Sequence, residues 1–343
     1  ILKVFNLLAN RSIFYGALFA AFLALVSISV CSSAGVDAPP TVRSYVGGLR
    51  GTGAPPLIIF AHYGVLERAR GCELKINEEL VYRSATLNFS IPHTHVGIAL
   101  DLEDEEVDGI KVSVIERENI IALSNYSHLE SHSVSVLDKE ANDDYCTGER
   151  ASLCTEPFWS PHYEKQHIQR AYRSMLCEKL LSKLLMSSYI SEDAVVVVMS
   201  ADIISNVRVD PRDIRSAYHN KESIFLTRNN DGPEGYTDGF YLGHINAVTK
   251  ALLLYDNIEL ISLEQKHVYY ERILKLTCEM QGIKREFLTG FGTHVHDFFK
   301  MRASGDIFQK VSCTAKQFMD HELCPQLAVH ECFQLSENGT IVR

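Results

Sequence analysis

The stretch AVVVVMSADIISNVRVDPRDI, Ala194 to Ile214, sets the architecture of this chain. Four consecutive valines run into Met199, Ser200 and Ala201, and the run stops at Asp202. A short, wholly apolar, β-branched run reads as a strand buried on both faces. Such a strand needs helices on both sides of its sheet, as in parallel α/β folds. The flanks agree. Upstream, YEKQHIQRAYRSMLCEKLLSKLLMSSYI carries Leu176, Leu180, Leu181, Leu184 and Leu185 as an apolar helical stripe. Downstream, SIFLTR (Ser223 to Arg228) reads as a strand and HINAVTKALLLYDNI as a helix. VYYERILKLTCEMQGI reads as another helix, ended by Gly282. Earlier in the chain LIIFAH (Leu57 to His62), VGIALDL and IKVSVIE are strand candidates. HSVSVLD, His132 to Asp138, alternates as a half-buried strand would, and Lys139 to Pro161 reads as a loop. Strands alternating with helices predict an α/β domain from about Pro56 onward.

The 343 residues, 46% of them hydrophobic, suffice for one large core or two modest ones. Net charge is -10, with 33 Lys and Arg against 43 Asp and Glu. With no long basic run, this balance argues against nucleic acid as a partner. The acidic run DLEDEEVD, Asp101 to Asp108, reads as a solvated turn without EF-hand spacing.

Ser12 to Cys31 is twenty residues without a charge, the length of a helix crossing a bilayer. Lys3 and Arg11 precede it and Asp37 follows, which predicts a cytosolic N-terminus and a body across the membrane. The alternative is a cleaved signal peptide with CSSAG as the small-residue cleavage region, which would give a secreted protein. The expected organisation is a cytosolic tail and signal anchor over 1–35, a Pro/Gly/Ser/Thr-rich stem over 36–56 and one domain over 57–343. Eight cysteines lie beyond the apolar segment, and an even number suits an oxidising compartment. Cys146/Cys154 and Cys324/Cys332 are spaced as loop staples, while Cys177 reads as a buried thiol. Asn88-Phe89-Ser90, Asn125-Tyr126-Ser127 and Asn338-Gly339-Thr340 have the form of glycosylation acceptors.

Ligands in open parallel sheets bind beyond the carboxyl ends of the strands, and Asp202 lies at such an edge. Taken alone, its carboxylate reads as a cap for IISNV. The other reading is a ligand for a divalent cation that also takes phosphate oxygens.

From Tyr163 to Leu288 the order of elements resembles a known family. A long helix with basic residues feeds an apolar strand ending Ser-Ala-Asp. VDPRDI, the strand SIFLTR, the Gly-rich segment NNDGPEGYTDGFYLG, a helix and YYERILKLTCEMQGI follow. This order is similar to that of nucleotide-sugar-dependent glycosyltransferases of GT-A fold, in particular protist, viral and bacterial capsule-type enzymes. The resemblance implies a GT-A-like, Rossmann-like α/β fold with a mixed, mostly parallel sheet flanked by helices. It implies a nucleotide-sugar donor, a glycan or glycoprotein acceptor, and Mn²⁺ or Mg²⁺. In the family the strand ends in an acidic DxD-like motif. Here Ser200 replaces the first acid, Asp202 retains the last, and Val198 and Ser200 stand where arginines are common.

Carried over by position, Asp202 would hold the metal, which neutralises the leaving diphosphate. Asp238, in TDGFYLG, would bind the acceptor hydroxyl or act as general base; an Asx-turn beside Gly239 is the alternative. Arg170 and Arg173 would reach phosphates. Ser200 and His62, each at the end of a strand, are further donor contacts. Phe158, Trp159 and Tyr163 are candidates either for stacking on sugar or for anchoring their loop.

His294 and His296 in GTHVH share a face if extended and are candidate metal ligands, as are His93 and His95 in PHTHV. Two such pairs leave open a His-rich metal-dependent hydrolase, although no HExxH is present. A catalytically inactive carbohydrate-binding protein on a transferase fold is the other alternative, favoured by the missing first acid. No Walker A loop, GxSxG elbow or GxGxxG fingerprint is present. The expectation is a type II membrane glycosyltransferase of the Golgi or ER, its domain in the lumen.

Overall fold

The computed structural model describes residues 53–64, 77–101, 106–107, 110–111, 126–187, 192–201, 203–205, 208–227, 239–289, 298–301, 307–308, 334–335 and 341–342. Ser12–Cys31, most of the 36–56 stem, Asn125 and Asn338 lie outside the described residues, as do Asp202, Asp238, His294 and His296. Among the described residues no helix is long and apolar enough to cross a membrane.

In chain order the strands are β1 (Ile58–Gly64), β2 (His93–Asp101), β3 (Glu106–Val107), β4 (Ile110–Lys111), β5 (Tyr126–Ser133), β6 (Val195–Ser200) and β7 (Ile203–Ser205). They continue with β8 (Ser223–Leu226), β9 (Phe240–His244), β10 (Lys284–Phe287), β11 (Phe298–Met301), β12 (Ile307–Phe308), β13 (Gln334–Leu335) and β14 (Ile341–Val342). The α-helices are α1 (Val134–Tyr145), α2 (Lys165–Leu185), α3 (Pro211–His219), α4 (Ile245–Ala251), α5 (Leu254–Glu264) and α6 (Tyr270–Met280). Seven strands form the main sheet in the order β10-β8-β9-β6-β1-β2-β5. β9 alone runs antiparallel to its neighbours, so the sheet is mixed and mostly parallel.

The valine run forms β6, between β1 and β9, and its valines are fully buried. Alternation sends Val196 and Val198 to one face, where α1, α2 and α4 to α6 supply the larger core. Val195, Val197 and Met199 go to the other face, against α3 and the π-helical turn Glu78–Arg83. Burying each valine contributes roughly 1.5 kcal/mol or more, which fixes the register of this strand.

Three local expectations are corrected. HSVSVLD is not a strand: β5 ends at Ser133 and α1 begins at Val134. Val134, Leu137, Ala141 and Tyr145 are buried at helical spacing, while Val136, which completed the apparent alternation, is 58% exposed. The strand is instead the more polar YSHLESHS, which pairs with β2 at the sheet edge, and α1 takes the first part of the expected 139–161 loop. FYLGH, which joins the end of the expected Gly-rich segment to the first residue of the expected helix, is β9, buried along its whole length. HINAVTKALLLYDNI breaks at Leu252 and Leu253 into α4 and α5. Gly282 ends α6 with φ +68, the left-handed conformation glycine adopts without strain.

Candidate active site

A cavity of about 430 Å³ opens at the carboxyl ends of β1 and β6. Tyr63 and Ser200, paired in the parallel register, contribute from the sheet. The end of β6 is stitched to both neighbours: Ser200 N–H donates to the Gly239 carbonyl at 2.8 Å and Ala201 N–H to the Tyr63 carbonyl at 2.9 Å. Gly239 itself lines the cavity, with φ +85. A Cβ there would lie 2.6 Å from Ile203 Cδ1.

Helix α2 forms one wall. His167, Arg170, Ala171 and Ser174 all line the cavity, at the spacing that puts residues on one helical face. The loop before α2 adds His162 and Tyr163, and the start of α6 adds Tyr270. The Tyr163 ring stacks on Trp159 at 5.2 Å, and its hydroxyl accepts the Tyr270 N–H at 3.4 Å. Trp159 is fully buried, and its indole N–H donates to the Leu153 carbonyl at 2.7 Å. The Tyr172 hydroxyl donates to that same carbonyl at 2.9 Å. Leu153 belongs to the short 3-10 turn Gly148–Cys154, closed by the Cys146–Cys154 disulfide. The loop is also tied to the chain before α6, through Ser160 N–H to Val268 O and Val268 N–H to Phe158 O, each at 2.8 Å. The result is a fixed aromatic wall.

The charge of this cavity has one sign among the described residues. Arg170, His162 and His167 line it, and no described carboxylate does. A guanidinium, two imidazoles and the hydroxyls of Ser174, Ser200 and three tyrosines suit an anionic ligand with ring or sugar surface.

The expected site residues separate on this geometry. Arg170, Ser200 and Tyr163 meet at the cavity. Arg173 does not join them: its Nε lies 3.4 Å from Asp138 Oδ1 of α1, and both side chains are largely buried. That ion pair ties two helices together, and Arg173 is not among the residues that line the cavity. His62 is corrected too. Successive strand residues face opposite sides, and Tyr63 takes the cavity side. His62 therefore faces the other side of the sheet, where its Nε2 lies 3.3 Å from His95 Nδ1. Trp159 and Phe158 are buried behind Tyr163 and anchor the loop. Asp202, Asp238, His294 and His296 lie outside the described residues.

The sequence does not single out Tyr63, His162, His167, Ser174, Gly239 or Tyr270 as site residues. For two of them a signal exists: His167 and Ser174 share a polar face with Arg170 on an otherwise core-facing helix. Among the described residues no group of three or more His, Cys, Asp or Glu could hold a metal.

No protein-family model matches the chain, and no curated protein matches it in sequence. Among solved structures it is similar to mouse xyloside xylosyltransferase 1 in its apo form. The TM-score is 0.37 and the identity 11%, over 68% of this chain and 84% of that one. It is similar to the galactosyltransferase LgtC in complex with donor and acceptor sugar analogs, with TM-score 0.37 and 12% identity over 67% of this chain and 72% of that one. A nucleoside-diphosphate-sugar pyrophosphorylase from Vibrio cholerae RC9 is similar with TM-score 0.38 and 11% identity, over 71% and 95%. These are distant likenesses, and neither substrate nor activity passes through them to this chain.

Proposed function

We propose that the chain is a glycosyltransferase that moves a sugar from a nucleotide-sugar donor to a glycan or glycoprotein acceptor. In the same proposal it acts in the lumen of the Golgi or ER, held by its N-terminal segment as a type II membrane protein. One observation carries the enzymatic part. A cavity at the carboxyl ends of β1 and β6 brings Arg170, His162 and His167 together with tyrosine rings, next to the strand that leads into Asp202. The Arg170 guanidinium pairs with diphosphate oxygens. Tyr63, Tyr163 and Tyr270 offer ring faces and hydroxyls to base or sugar. Gly239 lines the cavity without a side chain and holds the Ser200 N–H in place. The Cys146–Cys154 disulfide supports an oxidising compartment.

Mn²⁺ or Mg²⁺ belongs to this proposal through Asp202, with His294 or His296, and would neutralise the leaving diphosphate when bound. The described side chains do not by themselves make its site, so binding and orientation of the donor fall to Arg170, the two imidazoles and the tyrosines.

The test is donor hydrolysis and transfer by the protein from about Val36 onward, across a panel of nucleotide sugars, with Asp202→Asn alongside. Turnover with one donor, lost in Asp202→Asn with folding intact, supports the proposal. A second reading rests on Ser200, which stands where the family has its first acid: a transferase fold that binds carbohydrate without turning it over. Nucleotide-sugar binding by calorimetry with no turnover for any donor would select it.

A further inference from the structure

Between the π-helical turn and β2 the chain passes through three successive left-handed residues, Leu87, Asn88 and Phe89, with φ of 53, 56 and 64. Asparagine visits this region readily, but leucine and phenylalanine each give up about 1–2 kcal/mol there. Strain of this kind persists only where the surroundings hold it. Here they do. Thr86 Oγ1 donates to the Tyr82 carbonyl at 2.6 Å and accepts the Phe89 N–H at 2.9 Å. Asn88 N–H donates to Arg83 O at 2.7 Å, and Ile91 N–H to Thr86 O at 3.0 Å. The Phe89 ring stacks on His93 at 5.0 Å with the Arg83 guanidinium 5.2 Å from its centre.

This turn spends its backbone groups internally and turns the Asn88 carboxamide and the Ser90 hydroxyl outward. Both residues are exposed, and among the described residues neither side chain has a hydrogen-bond partner. On either side of Asn88, Leu87 is 45% and Phe89 39% exposed, two of the few large apolar side chains left to solvent. The triplet Asn88-Phe89-Ser90 carries the hydroxyl two residues after the asparagine that N-glycan transfer requires.

We propose that Asn88 is an N-glycosylation acceptor whose glycan covers Leu87 and Phe89. This rests on the secretory part of the proposed function. The donor is a lipid-diphosphate-linked oligosaccharide. A bond forms between Asn88 Nδ2 and C1 of its reducing sugar, the C1–O bond to the diphosphate breaks, and the lipid diphosphate leaves. The amide proton goes to a base of the transferring enzyme. The turn leads into the amino end of β2, which pairs with the amino end of β1, whereas the cavity lies at the carboxyl ends. The glycan therefore leaves the cavity open.

The test uses the full chain expressed in secreting eukaryotic cells. Glycans are removed enzymatically in ¹⁸O water, and mass spectrometry reads labelled aspartate at position 88. The expected result is label at 88, a loss of one glycan's mass in Asn88→Gln and in Ser90→Ala, and retention in Ser90→Thr. Removing the Asn88 glycan should increase binding of a hydrophobic dye while cavity binding of nucleoside diphosphate stays unchanged. Unlabelled Asn88 on a chain labelled at Asn125 or Asn338 overturns the site alone. No label anywhere overturns it together with the secretory reading, and leaves the enzymatic reading untouched. Label at 88 with unchanged dye binding overturns the covering role.

Discussion

His62 and His95 meet edge to edge in nearly one plane. Their ring planes differ by 8° and their centroids lie 5.6 Å apart, with Nε2 of one 3.3 Å from Nδ1 of the other. The centroid separation equals the nitrogen separation plus the two ring radii, its largest possible value, so the nitrogens lie on the line joining the ring centres. The rings share one N–H···N hydrogen bond and do not stack. Tyr82 and Tyr126 stand roughly perpendicular to both rings, Phe60 lies against His95, and His93 is the next imidazole along β2. Burial, with the neighbouring histidine adding to it, pushes His62 well below the ordinary range and His95 down to about 4.

That arrangement predicts an acid-sensitive fold. Both imidazoles are neutral in the folded chain over a range where the unfolded chain binds protons, so the unfolded state takes up more protons as pH falls. Stability is complete above the unfolded histidine value near 6.5 and is lost progressively towards about pH 4. The loss should be on the order of 2–3 kcal/mol from His95 alone. Urea unfolding at pH 7.5 and pH 5 measures it. His95→Phe should flatten the pH dependence even if its stability at pH 7.5 is lower, and an unchanged slope would refute the assignment.

Arg170 and Arg173 should behave oppositely. Arg170→Ala is expected to weaken nucleoside diphosphate binding about 10–100-fold, the worth of a charge-assisted hydrogen bond, with thermal stability unchanged. Arg173→Ala should leave binding alone and destabilise the chain by roughly 1–3 kcal/mol, because Asp138 is left buried beside α2. Calorimetric titration and thermal unfolding of the two variants decide it; equal binding losses would return Arg173 to the site.

Gly239→Ala should cost about 1–2 kcal/mol for the left-handed backbone. The close approach to Ile203 adds less, since Cδ1 is the free end of its side chain and can turn away. Because Gly239 also holds Ser200 N–H, ligand affinity should fall with stability. Ile203→Val in the same background relieves the contact but not the backbone strain, so it should restore little. Full rescue would mean the clash dominates.

Opening the Cys146–Cys154 disulfide should destabilise the chain by roughly 2 kcal/mol or more. It loosens the turn whose Leu153 carbonyl receives both Trp159 and Tyr172. Tryptophan fluorescence reports this directly, because Trp159 is the single tryptophan of the chain. A Cys146→Ser/Cys154→Ser variant should show a red-shifted emission; unchanged emission would mean the platform holds without the disulfide.

Much of the sheet was legible because burial on both faces leaves an unbroken apolar run, as in Val195–Val198. β9 was not, since FYLGH mixes a glycine and a histidine that only its buried position explains. HSVSVLD shows the opposite failure: over four residues a helix can imitate alternation, and only Leu137, Ala141 and Tyr145 reveal the longer period. The cavity was half legible. Arg170 and Ser200 follow from element order, but Tyr63, Gly239 and Tyr270 meet there through sheet pairing and helix packing that no local pattern encodes. His62 was placed on the wrong side because a histidine at a strand end looks the same on either face.

The position of β9 bears on how the chain is made. β6 is flanked by β1, made before it, and by β9, made after α3 and β8. Until Phe240 to His244 emerges from the ribosome, the valine strand has one open edge, a run suited to pairing with another chain. Gly239 and its carbonyl for Ser200 arrive in the same step. Nascent chains halted before residue 244 therefore keep an adhesive edge, while chains that pass it bury that edge and bring Gly239 to Ser200; the cavity itself waits for Tyr270, at the start of α6.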